Sequence, residues 1–222
     1  MQNAGFAALG LDWAYVPLPT QPELLGDAVR GLVATGFAGA NVTIPHKEAV
    51  IALCDELDVV AERAGSVNTL VIDDGCVLGS STDGAAVTSQ IQPEGRRALV
   101  LGTGGAAKAV AAALEHAGAE VVVTGRRDPG WPPSADGFDI LVNATPVKDE
   151  LVVAPKQGMQ VVDLAYPPDG RPTALVAGAR ELDCHPCVDG LDVLLAQGAA
   201  SFESWTGQPA PLAAMRQALR GG

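Results

Sequence analysis

Aromatic side chains are scarce: Phe, Tyr and Trp make up 4% of the 222 residues, while hydrophobic residues as a group reach 48%. The core must then be built mainly of Ala, Val and Leu, which suits close helix–sheet packing and argues against an aromatic-rich β-sandwich. Basic residues are also few, 14 Lys and Arg against 26 Asp and Glu, giving a formal net charge of −12. A uniformly acidic surface repels nucleic-acid phosphates and anionic membranes, so neither is expected as a partner, and the charge serves mainly solubility. An anionic ligand would need local positive charge, which directs attention to each Lys or Arg near a glycine-rich turn. No apolar run approaches the length that spans a bilayer. The first stretch, MQNAGFAALGLDWAYVPLP, lacks the basic head and small-residue cleavage site of a secretory signal. Four cysteines, Cys54, Cys76, Cys184 and Cys187, are too few for a disulfide framework, as suits a reducing cytoplasm. Cys184-His-Pro-Cys187 has the C-x-x-C spacing of redox pairs and zinc ligands, yet neither a strand-to-helix context nor further ligands accompany it.

A chain of this length can bury one large core or two small ones. Its middle reads most clearly. Arg97 to Leu101 is an apolar run of strand length, a glycine-rich turn follows, Lys108 to His116 is an Ala-rich helix ended by Gly118, and Glu120 to Thr124 is a second strand. This is a βαβ unit. Asp139 to Val142 and Gln160 to Leu164 are further buried-type strands, and such continuous apolar runs predict a parallel sheet covered on both faces. Upstream, Trp13 to Leu18 and Phe37 to Thr43 read as strands, and Glu23 to Thr35 and Lys47 to Leu57 as helices. Val67 to Ile72 and Cys76 to Gly79 read as a hairpin about the D-G turn Asp73-Asp-Gly75. Gln92 to Gly95 reads as a linker, and Leu191 to Trp205 and Pro211 to Arg220 as helices. The expected class is α/β.

The turn Gly102-Thr-Gly-Gly-Ala-Ala107 lies where a pyrophosphate must approach the backbone. Glycine permits the approach, and the helix that follows points free N–H groups and a positive dipole end at phosphate. Gly102, Gly104 and Gly105 stand where this is required, with Ala107 at the helix-packing position. An acidic residue at the end of the second strand would hold a ribose 2′-hydroxyl, whereas arginine accommodates a 2′-phosphate. Here Gly125 is followed by Arg126 and Arg127, so NADP is expected over NAD, Arg126 forming paired charge-assisted bonds to phosphate. Each feature also has a plainer explanation, a tight turn without ligand and a solvated basic pair beside Asp128.

Substrate candidates lie outside this unit. Asn41-Val-Thr-Ile-Pro-His-Lys47 presents Asn41 and Thr43 as hydrogen-bonding groups and Lys47 as a cation. Ala64-Gly-Ser-Val-Asn-Thr-Leu70 places Asn68 at a strand start, and Ser80-Ser-Thr-Asp-Gly84 places Asp83 in a loop. Taken singly, Asn and Asp favour turns and a lysine at a helix start is usually solvated. Taken together and in order, they resemble the shikimate dehydrogenase family. Asn41 to Lys47 meets N-V-T-x-P-x-K, Ala64 to Thr69 nearly meets G-A-x-N-T, and Thr82-Asp83-Gly84 meets T-D-G. Gly104-Gly105-Ala106 matches the G-G-A of the glycine-rich turn, and Asn143-Ala-Thr145-Pro resembles N-A-T-[SP]. Val162 to Tyr166 resembles the D-x-x-Y segment, and Gly190 to Gln197 the D-G-x-x-M-L-x-x-Q helix.

The resemblance implies a Rossmann-type NADP-binding domain over 84–189 and an α/β substrate domain formed by 1–83 and 190–222, with the chemistry in the cleft between them. It implies reversible hydride transfer between NADP(H) and a small-molecule substrate, the pair shikimate and 3-dehydroshikimate of aromatic amino acid (chorismate) biosynthesis, in the cytoplasm, with a homodimer left open as the assembly. Lys47 would be the catalytic lysine and Asp83 its partner. Asn41, Thr43, Asn68 and Gln197 would bind substrate, with Tyr166 at the boundary with the nicotinamide. Gly102, Gly104, Gly105, Ala106, Arg126, Arg127, Asn143, Thr145 and Gly190 would bind the cofactor. A cation beside the ketone oxygen stabilises the alkoxide that forms there and can deliver its proton.

The chain departs from the family in several places. Met1 to Phe6 resembles the M-H-N-A-A-F inside the family's first helix, and the family's preceding strand and S-x-S-P loop, whose serines bind the substrate carboxylate, have no counterpart. Weak or absent shikimate turnover by these 222 residues alone is the consequence expected. Ser81 replaces the usual Asn before T-D, Ala86 a common Gly, Gly125 the usual Asn before Arg126, and Lys148 a frequent Gly. Two alternatives stay open: a related dehydrogenase acting on quinate or another cyclic hydroxy acid, and a catalytically weak NADP-binding homologue.

Overall fold

In the computed structural model, which describes residues 1–221, helices and strands alternate along most of the chain. Gly222, with which the expected substrate domain ends, lies outside the described residues. In chain order the elements are α1 (Gln2–Ala8), α2 (Leu25–Ala34), β1 (Gly39–Asn41), β2 (Glu56–Leu57), α3 (Val59–Ala64), β3 (Thr69–Asp73), β4 (Cys76–Ser80), α4 (Asp83–Thr88), β5 (Arg97–Leu101), α5 (Gly105–His116), β6 (Glu120–Thr124), β7 (Ile140–Asn143), β8 (Gln160–Asp163), α6 (Ala174–Glu181), β9 (Cys187–Val188), α7 (Gly190–Thr206) and α8 (Leu212–Arg220). Two compact units divide the described residues: 1–82 with 195–221, and 83–194.

The first unit carries a four-stranded mixed sheet in the order β1-β3-β4-β2. β3 and β4 form the expected hairpin, its turn made by Asp74 and Gly75, both at positive φ. Two residues at positive φ match the right-handed twist of the strands they join. One core gathers Leu25, Val29, Val50, Ala61, Val67, Leu70 and Val77. A second gathers Phe6, Leu195, Phe202 and Met215, with the Phe6 and Phe202 rings stacked at 5.2 Å.

Three expected elements differ. Trp13 to Leu18 joins no sheet. The segment runs extended and exposed, held through its Tyr15 backbone by the Asn3 side chain. Pro17 and Pro19 remove two N–H donors that a ladder would need. The strand expected over Phe37 to Thr43 is confined to β1. The helix expected over Lys47 to Leu57 is a short 3-10 turn, Ala49–Leu53, followed by β2. There Asp55 exchanges backbone and side-chain bonds with Val77, which draws the chain into the sheet.

The second unit is a five-stranded parallel sheet, β6-β5-β7-β8-β9. β7 and β8 are buried throughout and β5 nearly so. Helix α5 makes the crossover from β5 to β6, as expected. The β6-to-β7 crossover contains neither helix nor strand, and Trp131, Ala135 and Phe138 from it pack with Leu99, Leu101, Leu141, Val161 and Leu175 instead. The expectation of a sheet covered on both faces therefore fails at the edge strand β6, where Val122 and Val123 are 38% and 41% exposed. Gln92 is no free linker. Its backbone N–H and carbonyl are both bound by the Gln160 side chain, inside this unit.

Candidate functional site

The nucleotide-type unit presents its turns at the C-terminal ends of the parallel strands, the usual ligand position in open α/β sheets. Gly102 ends β5 at φ +120°, and a Cβ there would stand 2.9 Å from the Ala144 carbonyl oxygen. Both facts demand glycine. At Gly104 a Cβ would meet nothing within 4 Å, so the turn is open toward solvent where it enters α5. Gly104 is the residue before α5, and no side chain caps the first turn there, so the first-turn amides at the positive end of the helix have no side-chain acceptor at the cap position. Arg126 and Arg127 are exposed in the turn after β6. Gly125, before them, is explained by packing: a Cβ would lie 2.7 Å from Thr103 Cγ2 on the neighbouring turn, and its N–H donates to Asp128 Oδ2. Open glycine backbone, uncapped helix amides and an exposed arginine pair fit a dinucleotide bearing an extra phosphate.

Gly102→Ala is expected to lower the melting temperature of this unit, at a cost of about 1–3 kcal/mol for the strained backbone, and to weaken NADP binding. Thermal melts and an NADP titration test it, and an unchanged variant would show that neither constraint operates.

Asn143 and Thr145, both anticipated, come together at the end of β7. Thr145 donates through its N–H and its hydroxyl to Asn143 Oδ1, at 3.0 and 2.6 Å. Asn143 Nδ2 donates to Val147 O and to Asp163 Oδ1 at 2.8 Å. Asp163, fully buried, also accepts from the Ala165 N–H and from the Thr173 hydroxyl that caps α6. Burial pushes its carboxyl pKa up, against those three hydrogen bonds, which pull it down. In the sequence Asp163 stands only inside the D-x-x-Y segment, with no role of its own. The signal was a carboxylate closing an otherwise apolar strand. Gly190 opens α7 so close to β8 that a Cβ would meet the Ala165 carbonyl oxygen at 2.5 Å. Tyr166 is 39% exposed just beyond.

The C-x-x-C pair sits in the core: Cys184 is buried with its thiol on the Lys156 carbonyl, and burial pushes both thiols above their ordinary pKa. A reactive pair needs the opposite, a stabilised thiolate. Among the described residues no group of His, Cys, Asp and Glu could hold a metal ion, and no cysteine is in a disulfide.

In the first unit the candidates lie around β1, β3 and α7. Asn41 Nδ2 donates to Ser201 Oγ at 2.9 Å, and Asn41 Oδ1 accepts from the Tyr15 hydroxyl. Asn68 Oδ1 accepts from the Thr82 N–H at 2.9 Å and from the Thr69 hydroxyl at 3.0 Å, while Asn68 Nδ2 donates to Thr82 Oγ1. Gln197 Oε1 lies 3.5 Å from the same Thr82 hydroxyl. Lys47 is half-buried and its carbonyl accepts from the Val67 N–H, which ties the loop that carries it to the start of β3. Thr43 is exposed on that loop. Asp83, 9% exposed, opens α4 in the second unit. Ser81, in place of the family's Asn, leaves a buried hydroxyl with no protein partner. Ser201, Thr69, Thr82 and Tyr15 were not anticipated.

Comparison with known proteins bears on this arrangement. Residues 1–70 match the shikimate dehydrogenase substrate binding domain, and residues 190–220 the shikimate 5'-dehydrogenase C-terminal domain. The shikimate dehydrogenase (NADP(+)) of Rubrobacter xylanophilus is 43% identical, over all of this chain and 90% of its own. That alignment runs over 260 positions, so the relative has internal stretches with no counterpart in these 222 residues. Among solved structures, shikimate 5-dehydrogenase from Thermus thermophilus in complex with NADP(H) and shikimate superposes with a TM-score of 0.85 at 30% identity, covering 99% of this chain and 92% of the other. The ligand-free 5-ketofructose reductase of a Gluconobacter strain does so at 0.84 and 29%, covering 99% and 91%. The identity and coverage, with the motifs in their order, show that the chain belongs to the shikimate dehydrogenase family.

Proposed function

We propose that this protein is an NADP-dependent shikimate dehydrogenase, interconverting 3-dehydroshikimate and shikimate in the cytoplasm on the route to chorismate and the aromatic amino acids. The observation that carries the reading is the presence, in one chain, of an open glycine turn followed by two arginines and of a lysine loop tied to β3 beside a set of buried amides and hydroxyls. Gly102, Gly104, Gly105 and Ala106 would carry the pyrophosphate, Arg126 and Arg127 the 2′-phosphate, with Asn143, Thr145 and Gly190 shaping the cofactor's surroundings. The cofactor, when bound, supplies or accepts the hydride. Lys47 stabilises negative charge on the substrate oxygen and delivers or takes its proton, Asp83 orients that lysine and binds a ring hydroxyl, and Asn41, Thr43, Asn68, Gln197 and Tyr166 hold the ring. In the described residues no helix is long and apolar enough to cross a membrane.

The test is NADPH absorbance on mixing the protein with NADP and a wide range of shikimate, with NAD and quinate as parallel controls. NADP-dependent turnover of shikimate supports the reading, whereas turnover of quinate alone would transfer it to a related cyclic hydroxy acid. The likeness to 5-ketofructose reductase, a neighbour that carries another substrate name, is the reason for testing more than one substrate. Arg126→Gln is expected to raise the KM for NADP by roughly tenfold or more, the value of a charge-assisted phosphate contact, and to leave the KM for NAD unchanged. Equal effects on both cofactors would show that Arg126 does not read the 2′-phosphate.

A further inference from the structure

A chain of buried hydroxyls links the candidate substrate amides, and counting protons gives it a direction. The Thr82 backbone N–H can only donate, so the Asn68 atom 2.9 Å from it must be the carbonyl oxygen, which fixes which way the amide points. That oxygen has no proton, so the 3.0 Å contact from Thr69 Oγ1 uses the single hydroxyl proton of Thr69. The 2.9 Å contact between Thr69 Oγ1 and Ser201 Oγ then draws on the proton of Ser201, which is shared with the Gln197 carbonyl 3.1 Å away on the same helix. Ser201 in turn accepts from Asn41 Nδ2 at 2.9 Å. The result is a directed path, Asn41 to Ser201 to Thr69 to Asn68, with Asn41 Nδ2 also reaching Thr69 Oγ1 at 3.3 Å. Ser201 and Thr69 are fully buried and Asn68 is 3% exposed, so water does not readily replace a missing member. Directed chains of this kind strengthen their members and hold side chains in a single orientation.

We infer that Ser201 and Thr69 are positioning residues for Asn68. Thr69 of β3, held in turn by Ser201 of α7, binds the Asn68 carbonyl oxygen together with the Thr82 N–H and so helps keep the amide nitrogen on Thr82 Oγ1. The inference rests on the proposed reading only in naming the substrate. A ring hydroxyl meeting Asn68 then meets an N–H donor and must accept from it.

Kinetics with NADP and shikimate test the consequence. Ser201→Ala and Thr69→Val are each expected to raise the KM for shikimate by roughly three- to tenfold, the range of one lost hydrogen bond, with kcat within about twofold and the KM for NADP unchanged. Thr69→Ser, which keeps the hydroxyl, restores the KM. A loss confined to kcat together with a lower melting temperature, or no change in KM, overturns the inference. Should the parent protein not turn over shikimate, side-chain amide NMR reads the positioning directly. The Asn68 NH2 signals, assigned by their disappearance in Asn68→Asp, are expected to shift in Ser201→Ala and to stay in place in Ser204→Ala, a serine exposed on the same helix. Unmoved Asn68 signals in Ser201→Ala overturn the inference whatever the substrate proves to be. Ser201→Ala only shortens a side chain, so it carries both tests if Thr69→Val fails to fold.

Discussion

Replacing Lys47 with alanine is expected to lower kcat for shikimate by about 10²- to 10⁴-fold, the usual contribution of a positioned acid–base group, while NADP affinity stays unchanged. The physical reason is the charge that develops on the substrate oxygen as hydride moves. A nearby ammonium stabilises the alkoxide and exchanges its proton, and alanine does neither. The backbone bond from the Val67 N–H to the Lys47 carbonyl survives the substitution, and a thermal melt of the variant separates a loss of rate from a loss of fold. Lys47→Arg separates charge from proton delivery: arginine keeps the charge but does not deprotonate in proteins, so stabilisation without proton transfer would leave partial activity. Steady-state rates at saturating NADP decide the matter, and a fully active alanine variant would remove Lys47 from the mechanism.

The second large effect is on stability. Asp163→Ala deprives three buried donors, Asn143 Nδ2, the Ala165 N–H and the Thr173 hydroxyl, of their acceptor. The expected loss is about 3–5 kcal/mol, seen as a melting transition of the nucleotide-type unit lowered by roughly 10 °C. Asp163→Asn keeps one acceptor oxygen and should cost about 1–2 kcal/mol, since its nitrogen then faces a Thr173 oxygen that already accepts from Val176. The carboxyl pKa is raised in the folded protein by burial, so the native state holds the proton more tightly than the unfolded chain. Its contribution to stability is greatest in acid and falls as the pH rises through the ordinary carboxylate range up to the raised folded value. Melting temperatures of the parent and of Asp163→Asn from about pH 4 to 7 should therefore converge as the pH rises. Parallel curves would mean that the folded carboxyl titrates normally.

Much of this protein is determined by its local sequence. Residues 97–124 declare strand, glycine turn, helix and strand because each signal depends on a few neighbouring residues: an apolar run, a glycine where φ must be positive, an Ala-rich helix ended by Gly118. Asp74-Gly75 declares its hairpin for the same reason, and Lys47, Asn68 and Asp83 stand in patterns short enough to read along the chain. The helix-free crossover after β6 was not legible, because Trp131 and Phe138 cover the sheet by reaching core residues distant in sequence. Trp13 to Leu18 has a strand's composition, but a strand exists only where another backbone pairs with it. The hydroxyl path was hidden most deeply, since Ser201 lies 132 residues from Thr69 and 160 from Asn41. Local sequence determines which backbone conformations are cheap. Only the packing of α7 beside β1 and β3 decides which buried hydrogen-bonding groups meet, because their pairing energy depends on distances in space.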